Sequence, residues 1–449
     1  MPDELARALR TLVGRTDAAI EDLHRLSGGA SRETWSFDVV ADGRSRPMIL
    51  QRLRPGVAAS STGVPIATEA ELLRVAARHG VPVAAVIASD DGTVLGSAGM
   101  VVERLEGETI ARKLLRDAEW ATARDRLGAH VSAALACIHA IPSSDVHGLA
   151  VTDQLDQFRS VLAGLGEPHP AFELGFRWLE ANRPASSEAR VVHGDFRMGN
   201  LLVDHEGLRA VLDWELAHLG DPLEDLGWFC VRAWRFGSPL PAGGVATREA
   251  LVATYEAASG TSVDLDALRW WELLGTLKWG VICVMQAWGH LSGTARSVEL
   301  ATIGRRVCEN EWDVLGLLPG EPLVVHGSAV AAPLPVLHDR PHLSELVEAV
   351  REWVDGDVRE GTEGRLSFHA RVATNALRMV ERELAQGAGP AVAHAERLRA
   401  LGCADDRELA GRIRRGELDD RSEQVRLAVA ASVHDKLLVA NPAWLDPDR

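Results

Sequence analysis

Residues 191–228 read VVHGDFRMGNLLVDHEGLRAVLDWELAHLGDPLEDLGW, and three polar positions within them, Asp195, Asn200 and Asp213, decide how the rest of the chain is read. Asp195 to Asn200 is a five-residue step across a loop. Two short apolar strands, about Leu201–Asp204 and Ala210–Leu212, then deliver Asp213. Taken singly, each of the three suits a turn or a cap, because Asp and Asn favour both. Together they offer more. A carboxylate beside an acceptor hydroxyl can orient it and take its proton. An amide oxygen and a second carboxylate can hold Mg²⁺, a hard ion that prefers oxygen ligands. Transfer of a phosphoryl group needs both functions side by side.

Upstream of this stretch the signals are those of a small sheet. Runs at Trp35–Val40, Met48–Arg52, Val83–Ala88 and Gly99–Glu103 are strand-like, with Asp42-Gly43 and Asp91-Gly92 as turns between them. One helix interrupts them at about Thr68–His79, with Leu72, Leu73 and Ala76 on one face. Residues 1–25 read as an amphipathic helical lead. From Gly107 onward the pattern is mainly helical. The expected division is a nucleotide-binding lobe over 1–105, a helical catalytic lobe over 106–317, a Pro- and Gly-rich linker over 318–342 and a C-terminal helical domain over 343–449. Within the last part, helices are expected at about Leu343–Gly356, Arg365–Gln386, Pro390–Leu401 and Ser422–Asn441.

The 449 residues are too many for one compact core, and 46% hydrophobic with 25% charged residues is an ordinary globular balance. A formal net charge of -16 argues against nucleic acid as the main partner. The five cysteines are scattered, odd in number and without a CxxC pair, so free thiols in a reducing compartment are expected. The first ten residues, MPDELARALR, carry no apolar signal region. The apolar run Leu273–Trp288 is interrupted by Lys278 and glycines, which favours a buried helix over a membrane span. The expectation is a cytoplasmic protein with no membrane or nucleic-acid partner.

HGDFRMGN followed by LDWE and GDPLEDL resembles the aminoglycoside phosphotransferase and choline-kinase-like superfamily. GDFRMGN is most similar to the kinase-like domain fused to certain acyl-CoA dehydrogenases and to its stand-alone bacterial relatives. The resemblance implies an α+β, bilobal protein-kinase-like fold: a small antiparallel β lobe, a larger helical lobe, and here an all-α C-terminal bundle after them. It implies ATP and Mg²⁺ as cofactors, Asp195 as catalytic base, and Asn200 and Asp213 as metal ligands. His193 would brace the loop, and Asp221 and Asp225 would hold it through backbone hydrogen bonds. LSGGASRETWSF resembles the phosphate-covering loop of the same superfamily, which makes Gly28, Gly29, Ser31 and Thr34 candidate nucleotide contacts.

A cation on the next strand should then hold the phosphates, paired with a helix carboxylate. The strand Met48-Ile-Leu-Gln-Arg52 has no lysine. Gln51 and Arg52 alternate to opposite faces, so only one can point at the nucleotide; charge favours Arg52. Glu69 aligns with the pairing acid, and Glu103 to Leu105 with the hinge whose backbone meets adenine. In the Trp-rich segment RWWELLGTLKWGVICVMQAWGHLSG, the residues Trp271, Lys278, Trp279 and Gln286 are candidates to line the acceptor cleft, with Arg197 near the transfer point. These cations suit a small, anionic hydroxylated substrate, such as a hydroxyacyl-CoA or hydroxy acid, better than a polycation. A silent kinase-like scaffold and an aminoglycoside phosphotransferase are the competing readings. LSFHARVATNALRMVERELA resembles an uncharacterised helical domain that follows such kinases, with a homodimer contact as one expected role.

Overall fold

A computed structural model describes residues 2–26, 32–54, 63–185, 187–329 and 340–446. The chain divides into two compact units, one of residues 1–153 and 185–272, the other of 154–184 and 273–449.

The first unit holds an antiparallel five-stranded sheet. Its strands are β1 (Ala19–Arg25), β2 (Arg32–Ala41), β3 (Arg44–Leu53), β4 (Val86–Asp90) and β5 (Gly99–Glu103), in the order β1-β2-β3-β5-β4. Asp42 and Gly43 join β2 to β3 as a two-residue turn with φ of 53° and 69°. Two consecutive positive φ values match the right-handed twist of a hairpin, which is why Asp-Gly stands there. Alternation gives the sheet two apolar faces. Phe37, Val39, Met48, Leu50 and Val101 pack with Leu5 and Leu9 of the helix Pro2–Leu12. Ile49, Leu53, Met100 and Val102 turn the other way, toward Ile66, Ala70 and Leu73 of the helix Ile66–Arg78. We call the second of these the inner face.

The same unit carries β6 (Arg190–Val192), which pairs with β9 (His218–Gly220), and the hairpin of β7 (Leu201–Asp204) with β8 (Gly207–Val211). Backbone bonds between Glu108 and Val203 tie the segment after β5 to this hairpin, at 2.8 and 3.0 Å. Gly107 permits the approach, because a Cβ there would lie 2.8 Å from the Val203 carbonyl oxygen.

The second unit is helical. The C-terminal helices do not stand apart as a domain beginning at residue 343: the helix Pro170–Ala181 packs against Val307–Leu317, Asp406–Arg414 and Ser422–Ala440. Gly175 makes room for Leu277 and Val314, and Gly280 for the ring of Phe172. The boundary between the units falls inside one continuous helix, Leu265–Leu291. At the N-terminus, the expected helical lead is a helix only to Leu12, and β1 follows. No helix among the described residues is long and apolar enough to cross a membrane.

Candidate active site

The loop after β6 begins with a turn that only glycine fits. Gly194 has φ of 76°, and a Cβ there would run into the Leu216 carbonyl oxygen. The buried Asp225 carboxylate accepts from His193 N at 2.7 Å and from Gly194 N at 2.9 Å. Behind it, His139 Nε2 lies 3.2 Å from Asp225, and His139 Nδ1 lies 2.8 Å from the Tyr255 hydroxyl. Burial would raise the Asp225 pKa, but His139 and the backbone donors hold it below the ordinary carboxylate range. His193 is wholly buried; its Nε2 donates to the Leu212 carbonyl at 3.0 Å and its Nδ1 accepts from Asp195 N at 3.2 Å. Burial lowers its pKa, in keeping with a neutral ring that accepts at one nitrogen and donates at the other.

These contacts present Asp195. Its Oδ1 accepts from Trp228 Nε1 at 2.9 Å and Arg197 Nε at 3.1 Å, and its Oδ2 from Asn200 Nδ2 at 2.7 Å. Asn200 Nδ2 also donates to the Asp195 carbonyl at 2.9 Å, which turns the Asn200 amide oxygen away from Asp195 as a spare acceptor. Asp213 follows β8 with φ of 63°. The residue is exposed, yet the protein packed around its carboxylate displaces water, and this first, then the charges of Glu215, Asp195 and Glu69, push its pKa up to about 7, with Arg32 opposing. A carboxylate crowded by other carboxylates is one that a divalent cation would return to its ionised form. Asn200 Oδ1 and Asp213 thus fit a Mg²⁺ ion in charge and donor type.

The sheet side departs from expectation. Gly28, Gly29 and Ser31 lie outside the described residues. Thr34 stands opposite Gln51 on the inner face, whereas Glu33 stands opposite Arg52 on the other. Arg52 therefore shares its face with Met48 and Leu50, and its Nε and Nη2 donate to Glu33 at 3.1 and 3.0 Å. It does not pair with Glu69; residue alternation carries it to the far side of the strand. The partner of Glu69 is Arg32 of β2, with Nη1 to Oε2 at 2.5 Å, and Arg32 Nε lies 3.4 Å from Glu215 Oε2. Burial raises the Glu69 pKa, and Arg32 opposes the rise. At the hinge, the Glu103 amide donates to Ala85 O and the Arg104 amide to Pro47 O, so an amide donor for adenine from this stretch would be Leu105.

Among the acceptor candidates, Arg197 is bonded to Asp195, with its guanidinium 4.9 Å over the Trp234 ring. Trp228 and Trp234, 5.2 Å apart between ring centres, were not expected there. Their signal in the sequence is only that Trp228 follows the GDPLEDL segment. Trp271 lies in the first unit with its backbone against Gly227, and its buried indole N–H has no protein partner among the described residues. Lys278 and Trp279 belong to the second unit. There Lys278 is 5% exposed, with Nζ 5.7 Å from the Phe158 ring centre, so its surroundings are those of a core residue.

Residues 22–271 match the phosphotransferase enzyme family, and residues 360–444 match a domain of unknown function, DUF6285. Mouse acyl-CoA dehydrogenase family member 10 is 27% identical over 250 residues, covering 53% of this chain and 23% of that protein. Acyl-CoA dehydrogenase family member 11 of Pongo abelii is 30% identical over 150 residues, covering 31% of this chain and 19% of that protein. The chain thus spans only a minor part of the length of the curated relatives it matches. A Ralstonia eutropha protein assigned to the aminoglycoside phosphotransferases superposes with a TM-score of 0.55 at 21% identity, over 70% of this chain and 97% of that one. At that identity the likeness is one of fold.

Proposed function

Because the chain belongs to the phosphotransferase enzyme family, we propose that it transfers the γ-phosphoryl group of ATP to a hydroxyl of a small anionic metabolite, such as a hydroxy acid or hydroxyacyl-CoA. The observation that carries this is the fixed carboxylate of Asp195, held by Trp228, Arg197 and Asn200 beside Asp213. In this reading Asp195 orients the acceptor hydroxyl and takes its proton as the new O–P bond forms. The bond between the γ-phosphorus and the β–γ bridging oxygen breaks, and ADP leaves. Asn200 and Asp213 would hold Mg²⁺, which supplies charge neutralisation to the phosphates when bound. Arg197 puts a cation beside the base, which supports an anionic acceptor and disfavours an antibiotic polycation. The acyl-CoA dehydrogenase names of the relatives point to acyl chemistry as well. All five cysteines are free, which supports the reading of a reducing, cytoplasmic setting.

The test is a screen for ATP-dependent phosphorylation over hydroxy acids, hydroxyacyl-CoA thioesters and aminoglycosides, with Asp195→Asn as control. The expected result is turnover of an anionic hydroxyl compound, lost by about 10²–10⁴-fold in the variant. Turnover confined to aminoglycosides would transfer the reading to drug modification. ATP binding with no transfer to any acceptor would favour a silent scaffold.

A further inference from the structure

The inner face of the sheet presents a neutral amide where a phosphate-binding cation is expected, and a buried guanidinium one strand away. Gln51 of β3 points to the inner face, opposite Thr34, and its side chain makes no hydrogen bond among the described residues. Arg32 stands opposite Leu53 on the same face, diagonal to Gln51 and so within a side chain's reach of the same space. It is 8% exposed. Two of its three nitrogens are engaged, Nη1 with Glu69 and Nε near Glu215. Nη2 has no protein partner among the described residues. A guanidinium so placed is a fork with one prong braced and the other open.

Building on the phosphotransferase reading, we propose that Arg32 of β2, and not a residue of β3, is the positioning cation for the nucleotide phosphates. Glu69 and Glu215 fix the guanidinium plane from behind. The open Nη2 edge is left to donate to phosphate oxygens, a charge-assisted bond of the kind arginine makes well. The cation and the amide have in effect exchanged strands across the β2–β3 ladder. The Glu33–Arg52 pair on the opposite face is then a separate, outward pair with no part in nucleotide binding.

Calorimetric titration of the full chain with Mg-ATP, Mg-ADP and adenosine, in wild type, Arg32→Met, Arg32→Lys and Arg32→Met/Gln51→Lys, tests this. Arg32→Met should weaken ATP and ADP by roughly 10- to 100-fold, the scale of one lost charge-assisted bond, and leave adenosine unchanged. Adding Gln51→Lys should recover most of the ATP affinity by returning the charge to β3. Equal weakening of all three ligands would make Arg32 a structural brace only and overturn the proposal. So would unchanged ATP affinity in Arg32→Met. If Arg32→Met does not fold, Arg32→Lys decides: it keeps the charge but loses the fork, so ATP should weaken by about 3- to 10-fold while adenosine binds as in wild type, and equal weakening of both would overturn the proposal. Wild-type protein that binds no nucleotide would sink the phosphotransferase reading itself and this proposal with it; nucleotide binding insensitive to Arg32 sinks only the latter.

Discussion

Each compact unit holds a carboxylate with a displaced pKa, and the two are driven in opposite directions. Asp213 in the first unit is exposed, yet the surrounding protein and then the neighbouring carboxylates Glu215, Asp195 and Glu69 push it up to about 7. Glu311 in the second unit is 1% exposed, and burial alone would raise it too. Instead it is held down to about 2 by Lys436, at 3.2 Å, and by His169, at 3.0 Å. One carboxylate is surrounded by its own charge and the other is neutralised on both sides. The difference teaches that burial does not mark a site; uncompensated charge does. Glu311 is a neutralised structural device, whereas Asp213 carries the uncompensated charge that the proposed Mg²⁺ would meet.

The strongest way to break this contrast is to remove each charge in turn. Asp213→Asn should lower turnover by about a thousandfold at saturating ATP, the scale of losing a principal stabiliser of transition-state charge, while the melting temperature holds or rises. A steady-state assay at several Mg²⁺ concentrations, paired with a thermal melt, checks both halves. Glu311→Gln should do the reverse. It removes the carboxylate bonded to Lys436 and leaves His169 with Glu167 alone, and should cost about 3–5 kcal/mol of stability. A denaturant melt in which Glu311→Gln is as stable as wild type would remove the contrast.

A pH scan sharpens it further. Burial would lower the His169 pKa, yet Glu167 and Glu311 overcome burial and raise it to about 9. Its contribution is complete below the unfolded value and is lost as pH rises through about 9. The Glu311 contribution is complete above the ordinary carboxylate range and is lost as pH falls toward 2. Stability of the second unit should therefore decline by a few degrees between neutral pH and pH 9.5. The decline should flatten in His169→Gln; an identical slope in both proteins would count against this pair. The smallest expected effect is at Arg52. Its charge is spent on Glu33, on the face away from Glu69. Arg52→Ala should change ATP affinity by less than about threefold, as for other half-buried pairs remote from a ligand. A larger loss would return the phosphate clamp to β3.

What could be read from the chain follows from how its constraints are distributed along it. Asp195, Asn200 and Asp213 lie within one loop and one hairpin, so their spacing alone encodes their meeting. β5 and β7 have the bounds their residue patterns suggest, because their apolar runs are short and flanked by turns. Arg32 and Glu69 meet across a strand and a helix, and no local period announces it. β1 was hidden for another reason: its sequence AIEDLHR is mostly polar, and an irregular register between Glu21 and His24 breaks the alternation. The helix Asp406–Arg414 carries few apolar residues and declares itself mainly through Asp405, whose side chain caps Glu408 N. The division of the helix Leu265–Leu291 between two units leaves no mark in composition at all.

The relay behind the base loop has a practical side. The chain contains a single tyrosine, Tyr255. It stands at the far end of the path from the His193–Gly194 turn through Asp225 and His139. A tyrosine-selective isotope label therefore gives one NMR resonance for the whole protein, placed remote from the transferring atoms but wired to the turn that presents Asp195. Its chemical shift becomes a native reporter of loop geometry, readable without altering any residue of the Asp195 loop.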